Sequence, residues 1–89
     1  MNNNNTNTTH RRLTWTYADA VEKMRKTARL TQTDLGAVSG LSRSTISNYE
    51  RGTETPPNFE TVKRVARACG FDQDDDILHV LWEDARRFG

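Results

Sequence analysis

The 89-residue chain holds one cysteine, two histidines, two prolines and five glycines. A single cysteine excludes a disulfide framework within the chain, and with two histidines it cannot build a zinc site. Strand formers are scarce, and no segment alternates polar and apolar residues long enough to compete as a strand, which disfavours a sandwich or barrel. No apolar run approaches the roughly 18–20 residues that cross a bilayer. The amino terminus lacks the basic-then-apolar pattern of a secretory signal, so a soluble, cytoplasmic protein is expected. No nucleophile–base pair, paired carboxylates or phosphate-cradling glycine loop stands at a useful spacing. Neither an enzyme nor a cofactor is expected. The Asp72 to Asp76 cluster lacks the ligand spacing and terminal Glu of a calcium loop, and His10 and His79 suggest no metal.

Charge is present in both signs but unevenly placed. The formal net charge is +1, yet residues 1–51 carry eight Lys/Arg against four Asp/Glu, and residues 52–89 carry five against eight. An anionic partner is therefore expected at the first half. Residues 1–12 form an Asn/Thr tract with no apolar side chain after Met1. Such a composition does not offset the entropy of ordering, so a disordered tail over 1–13 and one domain over 14–89 are expected. Arg11 and Arg12 read as part of that solvated tail, with a basic arm in a minor groove as the alternative.

The rest reads as five short helices, an all-α fold. Helix 1 is expected over about 17–28, capped by Thr16, with Ala18, Val21, Met24 and Ala28 on its apolar face. Helix 2, about 32–39, starts after Thr31 and ends at Gly40; helix 3, about 43–51, starts after Ser42 and ends at Gly52. Helix 4 follows Asn58 as cap, shows Phe59, Val62, Val65, Ala66 and Cys69 on one face, and ends at Gly70. Helix 5 begins among Asp72 to Asp76 and ends near Arg86 and Arg87, with acids at its start and bases at its end, as the helix dipole favours. Leu78, Leu81, Ala85 and Phe88 line its core face. Cys69 reads as a buried small hydrophobe.

The stretch that points to function is Gln32 to Gly52, QTDLGAVSGLSRSTISNYERG. Its first helix is too short to be stable alone, so packing must hold it. Leu35, Val38, Leu41, Ile46 and Tyr49 are expected to pin the two helices to each other and to helix 1. Gly36 and Gly40 would permit the close approach and the turn. The second helix then presents Arg43, Ser44, Ser47, Asn48 and Arg51 outward, all short or fork-shaped hydrogen-bonding side chains of the kind that meet base edges and phosphates.

From Ala20 to Phe71 the sequence resembles the Cro/repressor-type, lambda-repressor-like helix-turn-helix family of bacterial and phage transcription regulators. The resemblance rests on Arg25 seven residues before Gln32, the L-T-Q entry at Leu30 to Gln32, Gly40 in the turn, and the S-R-S-T-I-S run from Ser42 to Ser47. Glu50-x-Gly52, Pro57 and the V-x-x-V-A-x-A pattern from Val62 to Ala68 complete it. Two positions depart: Gly36 stands where Ala is usual, lowering helix propensity by up to ~1 kcal/mol, and Cys69 where Leu is usual. The resemblance implies a compact five-helix domain whose third helix lies in the major groove of double-stranded DNA while the second crosses the backbone.

On that basis Gln32 is expected at a phosphate and Thr33 among the DNA-binding residues, with Arg51 and the 53–58 loop, including Asn58, near the backbone. Ser44 and Asn48 are expected at bases, and Arg43 at a base or a phosphate. Ser47 shares their side. Thr45 is expected on the backbone, with base contact as the alternative. The family pattern also implies an internal ion pair between Arg25 and Glu50. Ile77, Val80 and Trp82 lie off the core face of helix 5. Their exposure would suit a homodimer reading a palindromic operator, against the plainer reading that Trp82 packs on helix 1 or near Trp15. A small Cro-like repressor acting by operator occupancy is the functional expectation. The alternative is an antitoxin, or another protein-interaction module, that autoregulates through the same motif.

Overall fold

A computed structural model of the protein describes residues 16–71 and 75–88, apart from the side chains of Asp75, Ile77 and Phe88. It contains five helices: α1 (Tyr17–Thr27), α2 (Gln32–Ser39), α3 (Arg43–Arg51), α4 (Phe59–Ala68) and α5 (Asp75–Phe88). There is no strand among the described residues. The Asn/Thr tract, the boundary expected near residue 13, Arg11, Arg12 and Trp15 lie outside them, as do 72–74 of the acidic cluster.

Local chemistry starts the first four helices. Thr16 Oγ1 accepts from the Asp19 amide (3.2 Å), Ser42 Oγ from that of Thr45 (3.0 Å) and Asn58 Oδ1 from that of Thr61 (2.9 Å). Thr31 and Asp34 form a reciprocal capping box, with bonds of 3.0 and 3.2 Å. Such caps contribute about 1 kcal/mol each. Gly40 ends α2 and Gly52 ends α3, both with left-handed backbones at φ 77° and 76°. α1 ends without a glycine: Arg29 takes the left-handed position at φ 62°, and the Leu30 amide donates back to the Arg25 carbonyl at 3.1 Å.

The core joins all five helices through Tyr17, Ala20, Val21, Met24, Leu35, Ile46, Tyr49, Val62, Val65, Ala66, Cys69, Leu78, Leu81 and Ala85. α2 packs most extensively on α3, α1 on α3, and α4 bridges α2 and α5. Phe59 of α4 and His79 of α5 stack at 4.1 Å between ring centroids.

Two expected faces differ. In α1 the inward residues are Tyr17, Ala20, Val21 and Met24, and Ala18 is half-exposed. Tyr17 sets this direction by packing edge-on against Tyr49 at 6.0 Å; Ala18, one residue on, points about 100° away. In α2 Val38 is 62% exposed and pins nothing. The inner face is Leu35, Gly36 and Ser39, and Val38 lies about 100° round from its centre. Ser39 tolerates burial because its hydroxyl donates to the Leu35 carbonyl at 2.7 Å.

Candidate nucleic-acid interface

The turn between α2 and α3 is set by contact between backbones. The Leu41 amide donates to the Gly36 carbonyl at 2.8 Å. A Cβ placed on Gly36 would stand 2.9 Å from the Ser42 carbonyl carbon and 3.0 Å from the Arg43 nitrogen. The amino terminus of α3 therefore rests on Gly36 so closely that an added Cβ would force backbone to shift. Gly36, expected from sequence to permit close approach at the expense of helix propensity, is the seat of the second helix.

α3 then has two sides. Ile46 and Tyr49 are buried. Arg43, Ser44 and Arg51 are exposed and Ser47 and Asn48 half-buried, and their spacing of four and one aligns them in a stripe away from Ile46 and Tyr49. Thr45 is half-buried, with its hydroxyl 3.0 Å from that of Ser42. At the start of α2, Thr33 is exposed. Gln32 and Thr33 are the first two residues of that helix, where amide groups lack helical acceptors and favour anions.

Arg25 of α1 holds the far end of α3. Its Nε donates to Glu50 Oε2 at 2.6 Å and its Nη2 to Oε1 at 3.1 Å, while Nη1 reaches the Leu30 carbonyl at 2.9 Å. The two side chains are only 14% and 7% exposed, and the hydrogen-bonded carboxylate raises the guanidinium pKa above its ordinary value. Gln32 joins the same group: its Nε2 donates to Glu50 Oε1 at 3.1 Å. An amide nitrogen carries two hydrogens, so one remains for an outside acceptor.

Asn48 is held at both ends of its amide. Arg51 Nη2 donates to Oδ1 at 2.7 Å, and Nδ2 donates to Glu54 Oε1 at 3.1 Å. Sequence reasoning did not single out Glu54, six residues on. It is brought back by the turn at Gly52, where the Thr53 amide donates to the Asn48 carbonyl at 3.0 Å. A glycine closing a helix, followed two residues later by an acid, is the signal that could have found it. Asn58 stands apart from this stripe: its Oδ1 serves as the α4 cap and also accepts from the Thr61 hydroxyl at 2.9 Å.

A family model described as helix-turn-helix matches residues 21–72, more than half of the chain. The chain belongs to the Cro/repressor-type helix-turn-helix family. No curated protein and no solved structure matches it. This helix-turn-helix family is one of DNA-binding transcription regulators, and membership gives the chain double-stranded DNA as its partner. The match runs from within α1 past α4 and stops short of α5.

On α5, outside that match, Val80 is 66% exposed. Trp82 is half-buried against the core, with the Arg86 guanidinium 5.8 Å from its ring centroid. The Ile77 side chain lies outside the described residues. Among the described residues no cluster of His, Cys, Asp and Glu could hold a metal ion, and no helix is long and apolar enough to cross a membrane.

Proposed function

We propose that this helix-turn-helix protein is a sequence-specific repressor of the small Cro-like type, of phage or bacterial origin, which occupies an operator and so excludes polymerase. The observation that carries the reading is the outward stripe on α3, Arg43, Ser44, Ser47, Asn48 and Arg51, set opposite a buried Ile46 and Tyr49. Side chains of this type match what the major groove offers: an arginine fork for guanine O6 and N7, and an amide for adenine N6 and N7. In this reading Arg43, Ser44 and Asn48 meet bases, with Ser47 beside them. Gln32, Thr33, Arg51 and Asn58 meet phosphates and set the register, and Thr45 lies against the backbone. Arg25 and Glu50 hold α3 at its angle.

The exposed Val80 on α5 supports a homodimer through that helix, which would place two α3 helices about 34–36 Å apart on a palindrome. Selection from a randomised duplex library with the full chain tests the whole reading. Sites with inverted symmetry are expected. Asn48→Ala should relax preference at particular base pairs by about tenfold, whereas Gln32→Ala should weaken binding to every sequence. Equal losses of specific and non-specific affinity in both variants would remove the base-reading role. Asymmetric single half-sites would remove the dimer.

A further inference from the structure

Resting on this reading of Asn48, we infer that Glu54, in the loop after the recognition helix, is a specificity-determining residue that fixes which way the Asn48 amide faces. An asparagine amide can sit in two orientations related by a half-turn about its last bond. They present opposite patterns of donor and acceptor to a base edge. In this protein the two ends of the amide have partners of opposite kind. Arg51 beside Oδ1 (2.7 Å) can only donate, and the Glu54 carboxylate beside Nδ2 (3.1 Å) can only accept. Reversing the amide would set its oxygen against a carboxylate and its NH2 against a guanidinium, so both contacts would turn repulsive. The orientation is therefore imposed by chemistry.

The valences left over are the ones reading needs. Oδ1 has two lone pairs and Nδ2 two hydrogens; Arg51 and Glu54 engage one of each. One acceptor and one donor remain, the pair required by adenine N6 and N7. By this count the lock leaves the contact the two valences it needs. Glu54 has a second consequence through its charge, because an exposed carboxylate at the end of the recognition helix repels phosphates wherever the protein lands on DNA. Selectivity is raised and indiscriminate binding lowered by the same side chain.

Glutamine separates the two effects, since its carbonyl oxygen can still accept from Asn48 but carries no charge. The experiment measures binding of the full chain to its selected duplex and to variants at the base pair that Asn48→Ala relaxes, with thermal melts confirming that each variant is folded. Glu54→Ala should lower preference at that pair roughly three- to tenfold and leave other positions unchanged. Glu54→Gln should keep the preference while binding all duplexes more tightly. Asn48→Ala with Glu54→Ala should discriminate no worse than Asn48→Ala alone. Full preference in Glu54→Ala, or an additive loss in the double variant, would overturn the role of Glu54 while leaving Asn48 as a reader. If Asn48→Ala relaxes no base pair, the reading of Asn48 fails and the lock with it.

Discussion

At the scale of single residues, Arg29 carries a cost that its neighbours do not share. A side chain in the left-handed region costs about 1–2 kcal/mol, and Arg29 is exposed there. Glycine would remove that strain but lose about 0.5–1 kcal/mol to the freedom it adds to the unfolded chain. Arg29→Gly is therefore expected to raise the melting temperature by about 2–6 °C in calorimetry; a lower one would show that the arginine side chain outweighs its backbone. Nothing in the sequence marked this residue, because no glycine stands at the end of the first helix. Gly40, Gly52 and the caps Thr16, Thr31, Ser42 and Asn58 were legible, since each depends only on neighbours in the chain.

At the scale of elements, the seating of α3 on α2 decides whether the interface exists. Alanine at Gly36 would gain up to about 1 kcal/mol in helix propensity, but its Cβ would overlap backbone atoms of Ser42 and Arg43, at 2.9 and 3.0 Å. Backbone cannot swing aside as a side chain can, and overpacking of this kind costs about 1–3 kcal/mol. Gly36→Ala is expected to lower the melting temperature by about 4–8 °C and to weaken DNA binding further, because α3 must move. An unchanged melting temperature would mean that the two helices part without loss. The same pair shows where periodicity falls short. In a helix of eight residues two or three inward positions set the face, and contact through Gly36 turned it away from Val38. Ser39 sits inside instead, a choice made by its hydroxyl bond to Leu35 and not by hydrophobicity.

At the scale of the whole molecule, both tyrosines of the chain belong to one core. Tyr17 is buried with no hydrogen-bond partner for its hydroxyl, and burial raises its pKa far above the ordinary value. Burial, and then the nearby Glu54 charge, raise that of Tyr49. Both shifts favour the neutral phenol in the folded protein. The stability they support is complete below the ordinary tyrosine pKa near 10 and is lost as pH rises above it. Phenolate absorbance should therefore lag behind that of free tyrosine and appear together with the loss of helical circular dichroism. Normal titration of either tyrosine near pH 10 with the helices intact would contradict this. The excess of basic residues lies within residues 1–51, the half of the sequence that contains α2 and α3, and acids dominate residues 52–89.

The sequence by itself determined the five helices, the caps of the first four, and the family, because these follow from neighbours a few residues apart and from a pattern spread over 21–72. It also indicated the Arg25–Glu50 pair, but only through the family pattern. Tertiary structure alone decided how closely α3 sits on Gly36, that Gln32 joins the Arg25–Glu50 pair and that Glu54 meets Asn48. Those contacts depend on the angle between packed helices and on a chain folded back over its own turn, and neither is a property of local composition.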